Sequence, residues 1–521
     1  MHHHPVSEKQ TTQACSGRTQ ALMIGPLILG AAAFLACLAV LIAMRVGYPF
    51  PLEVAEEGVA MGSVRALAGQ ALYGPPNADF VPFLYGPVYF LAGAGAFSVF
   101  GEQLWALRLI SICATAYVIF AMHRIASGVA GPRAGWLAAG FFAATYHLGG
   151  AWFDLARVDM LHLAFLFASL RAAQRERTVR SAVWALLAIF TKQSALGIVL
   201  GMAIGLAFHR SRKAVELVLC LTIGIVLVIA VGDLLTHRWF AYFLVVLPGE
   251  HAMLWNLWYE VFVEKLLRDF AGFLVLAGVA VGFLLRGRDW REQMPLVGFV
   301  SSAIAVGCLA RLRDGGWYNV MIPGHAGLAL LAAVGVVWIV TRLESKRVPV
   351  LPLAGFCLAA WQLGWCIYDP REHVPTAEQR ENGVRVENVM KQTEGGICSP
   401  TLSFTAHRAG KPAQPDGTAL WDIQRAKNKE LVREPLDQFI TRLLDGTYRA
   451  VLVNTPANRD LKSVLSVVLP AFPEGQHMHV ASPRGDRTTG KRATSGYEKL
   501  WWYLRTDDAE MAERVRNSVL R

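Results

Sequence analysis

Apolar runs long enough to cross a lipid bilayer recur along this chain, and they constrain its fold more than any other feature. A helix needs about 20 mostly apolar residues to span the hydrocarbon core. Charged residues make up only 17% of the 521 residues, whereas 54% are hydrophobic. A soluble chain carries about a quarter charged residues. The sequence therefore predicts an all-α polytopic membrane domain.

The distribution of basic residues predicts the orientation of these helices. The net charge is +11, and Lys and Arg accumulate in cytoplasmic loops. Five basic loops fall on one side of the membrane only if the short, Gly-rich run 86–101 does not span it. We therefore predict that 86–101 is an interfacial helix at the outer surface. The N-terminus is then cytoplasmic, and the basic surface is not one for nucleic acid.

With this orientation the chain divides into three predicted regions. Residues 1–20 form a disordered cytoplasmic tail, 21–368 a membrane domain of about 11 helices, and 369–521 a soluble external α/β domain. Two short segments, 181–191 and 194–208, are interpreted as half-helices that meet at a polar break. In the last region, strands are predicted at 449–455 and 497–505, and helices at 434–445, 460–469 and 508–520.

The loop after the first helix carries the first candidate for chemistry. Glu56 and Glu57 are adjacent there, and Glu53 precedes them by three residues. A carboxylate at a membrane surface can serve as a general base if it reaches the acceptor proton. The alternative is an ordinary acidic start of a helix, which the helix dipole favours.

Two further predicted external elements bring cations to the same side of the membrane. Arg157 and Asp159 lie in a short loop between apolar helices, where Arg157 either pairs with a nearby Asp or offers a planar fork to a phosphate. Lys192, followed by Gln193, lies at the break between the half-helices. A Lys within an apolar hairpin is costly, so we interpret it as a ligand of an anionic lipid headgroup in preference to a snorkelling side chain.

The last candidate loop contains Tyr318 and Asn319, which either line a cavity mouth or anchor a plain loop. The eight Cys show no CxxC or Cys/His metal spacing. A lone His251 beside Glu250 is a weak metal signal. We therefore predict no metal site and no certain cofactor.

In their order along the chain, these motifs resemble one enzyme family. The chain resembles the GT-C glycosyltransferases. The resemblance rests on five motifs: the acidic pair after the first helix, Tyr85-Gly86-Pro87 before the outer helix, the Arg-x-Asp loop, the Thr-Lys-Gln break and the Gly-Gly-x-Tyr-Asn loop. The likeness is to the group with the protein O-mannosyltransferases and the lipid A aminoarabinose transferase. It covers about residues 20–345. The family often has a His or Glu-Lys where this chain has Leu84-Tyr85, so a divalent metal is unsupported.

The resemblance implies a reaction and a site. It implies inverting transfer of a sugar from a polyprenyl-phosphate donor to an acceptor hydroxyl on a lipid, glycan or protein, at the external face of a bacterial inner membrane. Glu56 or Glu57 would be the base, and Arg157 and Lys192 would stabilise the leaving phosphate. The implied binding residues are Tyr85, Arg157, Asp159, Lys192, Gln193, Tyr318 and Asn319. A transporter or flippase of lipid-linked saccharides is the alternative, but it would favour paired half-helices in repeated halves.

Overall fold

The computed structural model describes residues 7–344, 350–428, 430–444, 447–455, 478–481 and 499–504. In chain order the first α-helices are α1 Ser7–Val46, α2 Ala55–Leu67, α3 Val88–Phe100, α4 Leu104–Ala130, α5 Pro132–Ala144, α6 Val158–Ala173, α7 Thr178–Ile189, α8 Ala195–Thr236 and α9 Trp239–Ala241. They are followed by α10 Leu247–Glu250, α11 Ala271–Arg286, α12 Trp290–Arg311, α13 Ile322–Glu344, α14 Val350–Trp365, α15 Ala377–Gln392, α16 Ser403–Arg408, α17 Gly417–Gln424 and α18 Glu430–Leu444.

Five helices in these described ranges are long and apolar enough to cross a membrane, and two bent helix pairs raise the number to seven. The chain is therefore a membrane protein built mainly from helices, as the sequence predicts. The count of about 11 segments stays a prediction. The helices α5, α6 and α7 have only 13, 16 and 12 residues, fewer than the roughly 20 that a full span needs.

The run that was predicted to lie at the interface forms α3, a separate helix of 13 residues. At 1.5 Å per residue it is about 20 Å long, which is too short to cross the bilayer alone. It has no charged residue and packs against α2 and α4. The Tyr89 hydroxyl donates to the carbonyl oxygen of Leu107 at 3.1 Å and fixes α3 against α4.

The predicted break in the hairpin is present between α7 and α8. α7 ends at Ile189 and α8 begins at Ala195, so Lys192 lies between them. α8 itself contains a non-helical residue, Arg210, with φ −143° and ψ 79°. This kink falls in the basic segment 209–213.

The N-terminal helix begins earlier than expected. α1 begins at Ser7, so residues 7–20, which were predicted to be disordered, are helical. Extending an existing helix by one residue costs far less than starting a new one. The polar segment therefore continues the apolar helix that follows it.

Helix α13 is the centre of the bundle, and every residue from Ile322 to Val340 is buried. It packs against α11, α12 and α5. At Gly335 it meets α11 so closely that an added Cβ would lie within 3.0 Å of the Leu276 carbonyl oxygen. Backbone on both sides leaves no room for a side chain there.

We expect Gly335→Ala to lower the thermal unfolding midpoint of the purified protein in detergent. Forcing one methyl group into a packed core costs about 1–3 kcal/mol. Gly278→Ala in α11 is the matched control, because nothing lies within 4 Å of its added Cβ. A loss of stability in Gly278→Ala as large as in Gly335→Ala would contradict this packing.

The strands near the C-terminus form one four-stranded sheet of order β1-β2-β4-β3. The strands are β1 Gly396–Cys398, β2 Tyr448–Thr455, β3 Met478–Ala481 and β4 Lys499–Leu504. β1 pairs in parallel with β2, and the other two pairs are antiparallel. β2, β4 and α18 match the predicted elements, whereas the predicted helices 460–469 and 508–520 lie outside the described residues.

Candidate active site

The connection between α1 and α2 is held by one buried ion pair. Arg108 of α4 and Glu56 at the start of α2 are both fully buried. The guanidinium donates to both carboxylate oxygens of Glu56, at 2.9 and 2.8 Å. It also donates to the carbonyl oxygens of Tyr48 and Phe50, at 2.5 and 2.8 Å. Arg108 therefore fixes the path of the loop that leads to α2.

The same carboxylate also organises a second loop. Glu56 accepts hydrogen bonds from the backbone N–H groups of Leu52 and Ala156, each at 2.7 Å. Burial raises the pKa of Glu56, but Arg108 and these donors outweigh it, so the pKa lies below its usual value. Glu56 is therefore an anion with four hydrogen-bond donors from the protein, and it places the residue just before Arg157.

Glu57 lies on another face of α2 and contacts the C-terminal part of the chain. It is fully buried. It accepts from the backbone N–H and the hydroxyl of Thr405, both at 2.8 Å. Nearby, Arg408 donates to the Pro49 carbonyl oxygen at 2.9 Å. Both members of the acidic pair therefore bind protein groups that hold segments together.

A charged cluster lies where the loop after α1, the start of α6 and the break after α7 meet. It consists of Glu53, Arg157, Asp159, Lys192 and Asn319, which are 3% to 8% exposed. Arg157 donates to Glu53 at 2.5 Å and to Asp159 at 3.4 Å. Asp159 also accepts from Lys192 at 2.6 Å and from Asn319 at 2.8 Å. Five side chains from four distant segments thus meet in one place.

The cluster has walls of aromatic and backbone groups. The Arg157 guanidinium donates to the Tyr85 hydroxyl at 3.3 Å and lies 4.3 Å from the Trp152 ring centroid. The Trp152 indole N–H is buried without a hydrogen-bond partner. The Gln193 side-chain amide makes a short hydrogen bond to the carbonyl oxygen of Leu84. It also donates to the carbonyl oxygen of Leu244 at 3.2 Å.

The approach of the loop to the break depends on Gly86. A Cβ on Gly86 would lie within 3.0 Å of the Phe190 carbonyl oxygen. The backbone N–H of Val88, two residues after Gly86, donates to the same oxygen at 3.2 Å. The missing side chain at Gly86 lets the loop carry Tyr85 against the end of α7.

The structure separates Tyr318 from Asn319, which were predicted together. Asn319 joins the charged cluster, whereas the Tyr318 hydroxyl donates to Glu260 at 3.3 Å. Glu260 also accepts from Arg311 at 2.7 Å. Successive residues of a 3-10 turn point about 120° apart, which explains how neighbours reach different groups.

In electrostatic terms the cluster holds two cations, Arg157 and Lys192, and two carboxylates, Glu53 and Asp159. A planar guanidinium and a flexible ammonium side by side suit the oxygens of a phosphate. Within the described ranges no group of three or more His, Cys, Asp or Glu residues could hold a metal ion. His251 instead contacts the Asp422 carbonyl oxygen at 2.8 Å.

Sequence reasoning missed Arg108 and gave Glu53 no role. Arg108 lies within a long apolar helix, and an intramembrane charge is itself a signal. Glu53 joins the charged cluster, whereas the adjacent pair that attracted attention in the sequence faces Arg108 and Thr405. Two carboxylates in a row at a helix start point in different directions, so adjacency predicts no shared site.

Comparison with known proteins relates most of the chain to one fold. No family model matches the sequence, and no curated protein matches it. Among solved structures, ArnT from Cupriavidus metallidurans bound to undecaprenyl phosphate matches with a TM-score of 0.56 at 12% identity, over 92% of this chain and 98% of ArnT. The apo form of ArnT matches with a TM-score of 0.57 at 13% identity, over the same shares.

The Archaeoglobus fulgidus oligosaccharyltransferase matches with a TM-score of 0.47 at 9% identity, over 82% of this chain and 69% of that protein. ArnT has the GT-C fold. The ArnT match extends over nearly the full length of both chains. This chain therefore has the ArnT-like GT-C fold.

Proposed function

We propose that this chain is a membrane glycosyltransferase that takes a sugar from a polyprenyl-phosphate donor. The observation that carries the proposal is the pairing of Arg157 and Lys192 through Asp159. These two cations lie at an interruption between apolar helices, where a lipid phosphate would enter from the membrane. A structure of ArnT, which has the same fold, contains undecaprenyl phosphate.

In the proposed reaction the acceptor oxygen attacks C1 of the sugar from the side opposite the phosphate, so the anomeric configuration inverts. The C1–O bond to the phosphate breaks, and the polyprenyl phosphate keeps the electron pair. Lys192 and Arg157 stabilise the charge that develops on that oxygen. The Trp152 indole N–H and the Tyr85 hydroxyl supply further hydrogen bonds at the wall of the site.

The remaining predicted residues receive supporting roles in this proposal. Asp159, which also accepts from Asn319, holds Lys192 in place, and Gln193 ties the break to the loop that carries Tyr85. Glu56 and Glu57 were expected to supply the base, and that stays a prediction. Their burial and protein partners favour a role in positioning the loops.

The proposal places the chain in a bacterial inner membrane, with the N-terminus in the cytoplasm and the segment after α14 outside. The acceptor is then a lipid, glycan or protein of the cell envelope. The basic loops favour this orientation, and the polyprenyl phosphate would reach the site laterally from the bilayer.

The test is mass spectrometry of envelope lipids and glycans from cells with and without the gene. We expect one sugar-bearing species to disappear on deletion, to return with the wild-type chain and to stay absent with Lys192→Ala. An unchanged glycan profile in all strains would contradict a transferase. Loss of a lipid-linked saccharide from one leaflet, with no sugar transfer by the purified protein, would instead identify the flippase alternative.

A further inference from the structure

Helix α17, which follows the membrane helices by some 50 residues of chain, forms part of the wall around the charged cluster. Ala419, Ile423 and Ala426 are at most 1% exposed. They belong to the same apolar group as Phe83 and Phe190, which flank Tyr85 and Lys192 in the sequence. The C-terminal part of the chain therefore closes one side of the site.

Asp422 interrupts this apolar face. It lies three residues after Ala419 within α17, so these two side chains share one side of the helix. Asp422 is 8% exposed. Its own carbonyl oxygen is bound by His251 at 2.8 Å, which fixes the end of α17 against the loop of His251. A carboxyl group is thus held in an apolar wall next to the cluster.

Two cations and one carboxylate act on Asp422. Arg425 donates to it across a long 3.4 Å contact and is shared with Asp314 at 3.1 Å. Arg157 of the charged cluster attracts it, and Asp416 at the start of α17 repels it. Burial outweighs the two cations and raises the pKa of Asp422 to about 7. The Tyr85 hydroxyl also lies within reach of its charge.

The other carboxylates near the site accept hydrogen bonds from close donors. Glu53 accepts from Arg157 at 2.5 Å and from the Ala55 N–H at 3.0 Å. Asp159 accepts from Lys192 and Asn319. Such charge-assisted hydrogen bonds favour the ionised form. Protein donors thus engage the oxygens of both carboxylates, whereas a general base must reach the acceptor proton directly.

We propose that Asp422, supplied by α17 from the C-terminal part of the chain, takes the proton from the acceptor during transfer. The inference rests on the proposed function. As the acceptor oxygen forms its bond to C1, its proton moves to the Asp422 carboxylate. The C1–O bond to the phosphate breaks at the same time, and the polyprenyl phosphate leaves as an anion beside Lys192 and Arg157. Asp422 then returns the proton to water.

The test follows turnover of the purified full-length protein as the release of undecaprenyl phosphate. The substrates are a panel of undecaprenyl-phosphate-linked pentoses and hexoses with an envelope lipid extract as acceptor. The base is active without its proton, so wild-type kcat should rise from pH 5.5 to about 7 and then level off. Asp422→Asn should lower kcat by about 100- to 10,000-fold and remove this pH step. Asp422→Glu should keep the step and restore part of the rate.

Asp314→Asn is the matched control, since Asp314 binds the same Arg425. We expect it to keep both the rate and the pH step. Binding of undecaprenyl phosphate to each variant separates the two proposals, because Asp422→Asn should bind it like the wild type. Loss of the pH step in Glu53→Gln, with the step intact in Asp422→Asn, would assign the base to Glu53 and overturn the inference. A wild-type protein that neither binds undecaprenyl phosphate nor consumes a donor would overturn both.

Discussion

Lys192→Ala should reduce sugar transfer by about 100- to 1,000-fold, the usual cost of losing one group that stabilises charge in the transition state. Lys192 contacts Asp159 at 2.6 Å at the break between α7 and α8. In the proposed reaction this ammonium faces the oxygen that leaves with the lipid phosphate. Because it binds that group before and after the reaction, the variant should also bind undecaprenyl phosphate more weakly than the wild type.

Two comparison variants make this result specific. Lys213 forms a half-exposed pair with Glu216 at 2.8 Å, so Lys213→Ala removes a lysine of the same helix-rich domain without touching the cluster. Lys192→Arg keeps the positive charge but replaces a compact ammonium with a planar guanidinium. Relative to Lys192→Ala, it should therefore recover binding of undecaprenyl phosphate more fully than it recovers turnover. Both quantities are measured with undecaprenyl phosphate and with the donor that wild-type protein consumes. Unchanged turnover in a folded Lys192→Ala would remove Lys192 from the mechanism.

The sequence predicted the membrane helices because their signal is local. A run of apolar residues must avoid water wherever the rest of the chain lies, so α1, α4 and α13 could be recognised one at a time. The prediction that α3 lies at the outer interface needed one more fact, the side preferred by basic loops. The extension of α1 to Ser7 had no such signal, since nothing in a polar segment shows that a neighbouring helix continues into it.

The charged cluster was predictable only in part. Arg157, Asp159 and Lys192 stood out because charge within apolar sequence is costly, and the structure brings them together. The partner of each charge could not be read from spacing. Glu56 and Arg108 are 52 positions apart, and Asp422 is contributed by a helix from another region of the chain. Contacts of this kind depend on how elements pack, which a single sequence does not encode locally.

Glu56→Ala should destabilise the protein by about 3–5 kcal/mol, the range found when one partner of a buried ion pair is removed. The substitution leaves the Arg108 guanidinium buried without its carboxylate, and the N–H groups of Leu52 and Ala156 lose their acceptor. Thermal unfolding in detergent, together with the fraction that elutes as a single species, measures the loss. Glu216→Gln, in a half-exposed pair, should cost less than about 1 kcal/mol.

The conservative variant Glu56→Gln distinguishes positioning from catalysis. An amide keeps the shape of the side chain but loses the negative charge that Arg108 faces, so we expect stability and transfer to fall together. Replacing both partners, Glu56→Leu with Arg108→Met, should recover part of the stability, because a well-packed apolar pair avoids the cost of a lone buried charge. A Glu56→Gln protein that is as stable as the wild type and binds undecaprenyl phosphate, yet transfers no sugar, would instead make Glu56 the base. Glu56, the first member of the acidic pair, would then act on the substrate directly, and Asp422 would only shape the wall of the site.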